Sequence, residues 1–152
     1  MLKVCLERFS KINRDTIFAL STNIEEFSKI MPKYFKSLKI TSLSDSELFV
    51  SEEINFLGFS INVKTKHKIS PPNLHEINIL SGPLRNSVFL EKYEEFKNGT
   101  KVMININLEL NGFAKLFLIF GFFLERKINK VMDEFIISCE NQSFNFKSKS
   151  WH

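Results

Sequence analysis

The sequence predicts an α+β domain in which a curved seven-stranded antiparallel sheet surrounds one long C-terminal helix, with two short helices after the first strand. Three observations carry that prediction. From Tyr34 to Leu110 the chain keeps a period of two, and breakers cut it at even intervals: Ser44-Asp45-Ser46, Leu57-Gly58, Pro71-Pro72-Asn73, Ser81-Gly82-Pro83 and Asn98-Gly99. From Phe113 to Glu140 the pattern turns helical. Finally, 17 Phe stand against Ala19 and Ala114 as the only alanines, a set of large side chains that suits the face of a sheet better than closely apposed helices.

Lys3 to Ser10 alternates and reads as the first strand. Asn13 then offers an N-cap, with Asp15 in the first turn where a negative charge suits the helix dipole, and a short helix runs to Thr22. Asn23 caps a second, Ile24 to Ile30, which Pro32 ends. Six antiparallel strands follow. The clearest is Phe59 to Ile69, with Phe59, Ile61, Val63, Thr65, His67 and Ile69 on one face and Ser60, Asn62, Lys64, Lys66 and Lys68 on the other. A two-residue turn at Leu57-Gly58 sets Phe56, Ile54, Glu52, Val50 and Leu48 opposite Phe59, Ile61, Val63, Thr65 and His67. Asn98-Gly99 is the strongest hairpin signal; a two-residue turn there pairs Tyr93 with Ile104, Glu91 with Ile106 and Phe89 with Leu108. A three-residue bulged turn instead points Leu90 and Phe96 inward.

The last element is expected as one helix from Phe113 to Glu140. Its second half has a stripe of Leu124, Ile128, Val131, Met132, Phe135, Ile136 and Cys139 to pack on the sheet. Its first half, Leu116 to Phe123, is apolar on every side, and Leu118 and Phe122 lack an evident partner. Residues 1–140 thus form the domain, and 141–152, without periodicity, a flexible tail.

Composition bounds the function. At 152 residues the chain has room for one domain with a real core. A net charge of +4, unclustered, is no nucleic-acid signature. Cys5 and Cys139 have no metal or disulfide spacing. The charged start, Lys3, Glu7 and Arg8, does not read as an export signal, so a cytoplasmic location is expected. Leu116 to Leu124 falls short of the ~20 apolar residues that cross a bilayer, though it suits contact with a membrane surface.

Particular segments carry a resemblance: Glu25-Glu26-Phe27 through Met31-Pro32, Phe56-Leu57-Gly58-Phe59, Ser81-Gly82-Pro83-Leu84-Arg85, Asn98-Gly99-Thr100-Lys101-Val102 and the terminal helix. On these the chain resembles the START/SRPBCC helix-grip superfamily, and within it the coenzyme Q-binding START-domain branch and the ribosome-association toxin family. Lys33-Tyr34 departs from that branch, which often has Trp and Cys there. The resemblance implies a deep apolar cavity between sheet and long helix that holds one lipid-like molecule; no cofactor or metal is expected. The lining expected from the sheet is Val50, Ile54, Phe59, Ile61, Val63, Phe89, Tyr93, Ile104 and Ile106, and from the helix Phe120, Leu124 and Ile128.

Inward polar residues carry the most information, because a buried carboxylate or imidazole needs a partner. Glu52, His67, Glu91 and Tyr93 qualify. His67 is expected at the solvent rim, and Glu52 and His67, four residues apart in the ladder at roughly 13 Å, are not expected to form a dyad. His75-Glu76 is followed by Ile79 where H-E-x-x-H needs a second ligand, and no G-x-S-x-G elbow, P-loop or dinucleotide fingerprint is present. With no catalytic residues assigned, the expected function is carriage or chaperoning of a hydrophobic small molecule such as an isoprenoid quinone or lipid. Two alternatives stand beside it. One is a polyketide cyclase or dehydratase-type enzyme in which His67, Glu91 or Tyr93 moves a proton. The other is a ribosome or protein interaction module using Leu118 and Phe122, the one indirect route to nucleic acid.

Overall fold

A computed structural model describes residues 1–149, with the side chains at positions 56, 120 and 145–149 outside that description. Among the described residues the strands are β1 (Leu2–Ser10), β2 (Phe35–Leu43), β3 (Glu47–Phe56), β4 (Phe59–Ser70), β5 (Leu74–Ile79), β6 (Val88–Phe96) and β7 (Gly99–Leu108). They form one antiparallel sheet in the order β1-β7-β6-β5-β4-β3-β2, a meander whose last strand pairs with the first. The helices are α1 (Arg14–Thr22), α2 (Ile24–Ile30) and α3 (Gly121–Lys149), with a 3-10 helix over Gly112–Phe120 leading into α3. Asn13 caps α1 as expected, its side chain accepting from the Thr16 N–H at 2.9 Å.

The β3–β4 register is the expected one: Phe56 pairs with Phe59, Ile54 with Ile61 and Glu52 with Val63. Leu57 (φ 52°) and Gly58 (φ 86°) both take the left-handed turn conformation that matches the twist of the strands. The β6–β7 register differs. Tyr93 pairs with Val102, Glu91 with Ile104 and Phe89 with Ile106, because the turn residues are Lys97-Asn98 and not Asn98-Gly99. Gly99 is needed inside the strand instead. A Cβ there would lie 2.0 Å from the Ser10 carbonyl oxygen, where β1 runs against β7. Since the slip is two residues, side-chain parity is unchanged and Phe89, Glu91 and Tyr93 still face the core.

The expected single helix from Phe113 is instead two windings. Asn111 is pinned at one end, its N–H donating to the Pro83 carbonyl at 2.8 Å and its Nδ2 to the Arg85 carbonyl at 2.9 Å. Leu124 is fixed in the core at the other end. A 3-10 helix rises ~2.0 Å per residue against ~1.5 Å for an α-helix, so nine residues of it span about 18 Å, some 4.5 Å more than α-winding provides. The α-helix itself continues past Glu140 to Lys149. Its stripe packs as expected, with Leu124, Met132, Phe135, Ile136 and Cys139 buried and Ile128 and Val131 half-buried. Arg8 of β1 clamps the helix by donating to Asp133 at 2.6 Å and Asn129 at 2.8 Å. Tyr34, donating to Glu134, holds it at the α2 side.

Candidate functional site

The inner face of the sheet is mostly apolar; besides Arg8, Ser10 and Thr100 at its β1–β7 end, it carries a diagonal of polar side chains that crosses β6, β5, β4 and β3. Tyr93 Oη donates to Glu91 Oε2 at 2.8 Å. The same oxygen lies 3.2 Å from His75 Nδ1, and His75 Nε2 lies 2.9 Å from His67 Nδ1. His67 Nε2 reaches Glu52 Oε1 at 3.0 Å, and Thr65 Oγ1 bridges the two, 3.1 Å from Glu52 and 2.9 Å from His67. The register explains the line: His75 is directly opposite Glu91, while His67 is opposite Ile77, one inward position along. His75 is 2% exposed, His67 4%, Glu52 7% and Tyr93 0%. Among the described residues, no buried side-chain nitrogen or oxygen lacks a hydrogen-bond partner.

The expectation that Glu52 and His67 stand too far apart is therefore wrong, as is the placing of His67 at the rim. Distances along the backbone ladder overstate separation on a concave face, where inward side chains converge. Both residues also lean toward Thr65, and each spans several ångströms of side chain.

Counting protons assigns donors. The contacts Glu52–His67, His67–His75 and His75–Glu91 each need one proton, carboxylates only accept, and two neutral imidazoles supply two. The fully bonded chain thus holds one surplus proton and, with one negative charge left over, a net charge of −1. Burial pushes the Glu91 carboxyl up, but the His75 charge and hydrogen bond, with the Tyr93 hydroxyl, outweigh it and hold the group below its ordinary value. Burial, then the Glu91 charge, pushes the Tyr93 phenol well above its own. On α3, burial raises the Cys139 thiol to about 12, with Glu91 and Glu140 adding to the effect. The acid, imidazole and phenol groups are strung in line, and among the described residues no three His, Cys, Asp or Glu converge as metal ligands do.

Of the expected lining, Val50, Ile61, Val63, Ile104, Ile106 and Leu124 are buried on the inner face together with Glu52, His67 and Tyr93. Ile54, Phe89, Glu91 and Ile128 are half-buried. Phe59 is 51% exposed and rests at the rim against Phe113 and Phe117, with ring centroids 6.0 and 6.2 Å away. The side chain of Phe120 lies outside the described residues. Two surface clefts, of about 320 and 230 Å³, sit elsewhere: one along Leu80, Ser81, Gly82, Arg85 and Asn111, the other between α2 and α3. Beside the polar chain on the inner face, Ile77 and Phe89 are half-buried and paired across β5 and β6. His75 and Thr65 complete the chain, though neither is among the site residues expected from the sequence. The signal for Thr65 was its alternation with His67; for His75 it was a polar residue in phase with Ile77 and Ile79.

No protein-family model matches this sequence, and no curated protein does. Solved structures do match. A protein from Thermus thermophilus superimposes with a TM-score of 0.79 at 13% identity, over 93% of this chain and 99% of that one. A START superfamily protein from Mycobacterium smegmatis gives 0.78 at 11%, over 95% and 98%. The Zhui aromatase/cyclase from Streptomyces sp. R1128 gives 0.71 at 9%, over 99% and 96%. At such identities the likeness speaks for architecture alone. In strand order, helix placement and superposition, this chain has the START/SRPBCC helix-grip fold.

Proposed function

We propose that the protein binds and carries a hydrophobic small molecule, of the isoprenoid quinone or lipid class, between the sheet and α3, with the molecule's polar end at Glu91 and His75. One observation carries the reading. On the β3–β6 half of the inner face, apolar side chains surround a polar diagonal whose half-buried member, Glu91, lies beside the half-buried pair Ile77 and Phe89. Apolar walls with a few convergent polar groups are the usual make-up of small-molecule sites. Ile77 and Phe89 are the side chains a ligand displaces to reach the chain. Native mass spectrometry and solvent extraction of the purified protein test this, followed by titration with a short-chain quinone and a fluorescent fatty acid. One bound molecule per chain, or saturable binding that Phe89→Trp weakens, is expected. An empty protein with no saturable uptake of either probe overturns it.

A second reading has its own support: a chain with one surplus proton ending at a half-buried carboxylate is suited to acid–base work on a bound molecule, as in a cyclase or dehydratase. Glu91→Gln separates the two. A carrier keeps binding within a few-fold, whereas a catalyst loses turnover while still binding.

A further inference from the structure

The 3-10 winding of Gly112–Phe120 has a consequence for the surface. Three residues per turn align every third side chain. Phe113, Leu116 and Ile119 therefore share one line, which Phe122 continues at the start of α3. All four face solvent, at 54%, 65%, 77% and 78% exposure, while Ala114, in the next row, is buried at 1%. Phe123 (52%) and the rim residue Phe59 (51%) widen the ridge. No side chain from Leu116 to Leu124 can donate or accept a hydrogen bond.

The charges around this ridge are arranged in a definite way. Lys115 is the one charged residue between Glu109 and Glu125. One turn beyond the ridge, Arg126 lies over the Phe122 ring at 5.9 Å and Lys127 over the Phe123 ring at 5.6 Å. Aromatic rings at one depth with cations reaching back over them fit the acyl boundary and the phosphate layer of a bilayer. A protein interface would instead carry about one hydrogen bond per 100–200 Å². Among the described residues no helix is long and apolar enough to span a membrane, so the segment would lie in the surface.

We infer that the ridge Phe113, Leu116, Ile119 and Phe122 docks this protein on an anionic lipid bilayer, with Lys115, Arg126 and Lys127 on the lipid phosphates. The inference is independent of what the inner face binds, because docking needs no cargo.

Vesicle flotation tests it, using phosphatidylcholine alone and phosphatidylcholine mixed with phosphatidylglycerol, on the full chain. The wild type floats with the mixed vesicles. The variant Ile119→Ser/Phe122→Ser loses about tenfold or more in partitioning to both compositions, since each large apolar side chain contributes at least that much when buried. Lys115→Gln/Arg126→Gln/Lys127→Gln loses about fivefold per charge on the mixed vesicles only. All these positions are exposed, so a thermal midpoint within about 2 °C of wild type shows that folding is intact. Wild type that does not float with either composition overturns the inference. So does a self-association that Ile119→Ser/Phe122→Ser abolishes in the absence of flotation, which assigns the ridge to a second copy of the chain.

Discussion

Replacing Glu91 with leucine takes the only carboxylate from between two buried donors, His75 Nδ1–H at 3.2 Å and Tyr93 O–H at 2.8 Å. Each orphaned donor costs about 1–3 kcal/mol, and the added apolar burial returns about 1 kcal/mol, so Glu91→Leu is expected to lose about 3 kcal/mol. That is a large part of a total stability of about 5–15 kcal/mol. Glu91→Gln keeps one acceptor oxygen and is expected to lose about 1–2 kcal/mol. Urea unfolding at neutral pH, followed by far-UV circular dichroism, measures both. The two variants also differ from wild type in pH dependence. Folding holds the Glu91 carboxyl below its ordinary value, so its contribution is in full force above the unfolded value of about 4.3 and is lost as pH falls through the lower folded value. The gap between wild type and Glu91→Gln therefore narrows as the solution is acidified below about pH 4. A Glu91→Leu protein within about 0.5 kcal/mol of wild type, or a gap that widens in acid, refutes the closed, fully bonded polar chain.

Gly99→Ala is expected to cost about 3 kcal/mol or more by urea unfolding, because its Cβ would meet the Ser10 carbonyl at 2.0 Å and pry β1 from β7. A brief iodoacetamide pulse on the native protein should alkylate exposed Cys5 and spare Cys139, which is buried with its thiol raised to about 12; peptide mass mapping reads the result, and unfolding in urea exposes both. Arg8→Met should lower stability by about 1 kcal/mol, less at high salt, since its ties to Asp133 and Asn129 are partly solvated.

Much of the architecture was legible because burial on one face imposes period two. The run from Phe59 to Ile69 and its Leu57-Gly58 turn could be paired residue by residue with β3. The β6–β7 turn could not, because Asn98-Gly99 satisfies two demands, turn geometry and close approach, and only β1, remote in sequence, shows which one uses the glycine. The site was half legible in the same way. Glu52, His67, Glu91 and Tyr93 announce themselves as polar residues in apolar phase. Their joining through Thr65 and His75 depends on the curvature of four strands, which no local pattern encodes. The winding of Gly112–Phe120 was hidden too, since a segment apolar on nearly every side has no periodicity that tells three residues per turn from 3.6.

The same letters wound differently would make a different molecule. With 3.6 residues per turn, Phe113 and Ile119 would point about 120° apart, and the oily line would dissolve into a band around the rod. What this protein offers to its surroundings at that edge is thus decided by helical pitch. A substitution that shortens the gap between Asn111 and Leu124 would change it without touching a single hydrophobic side chain.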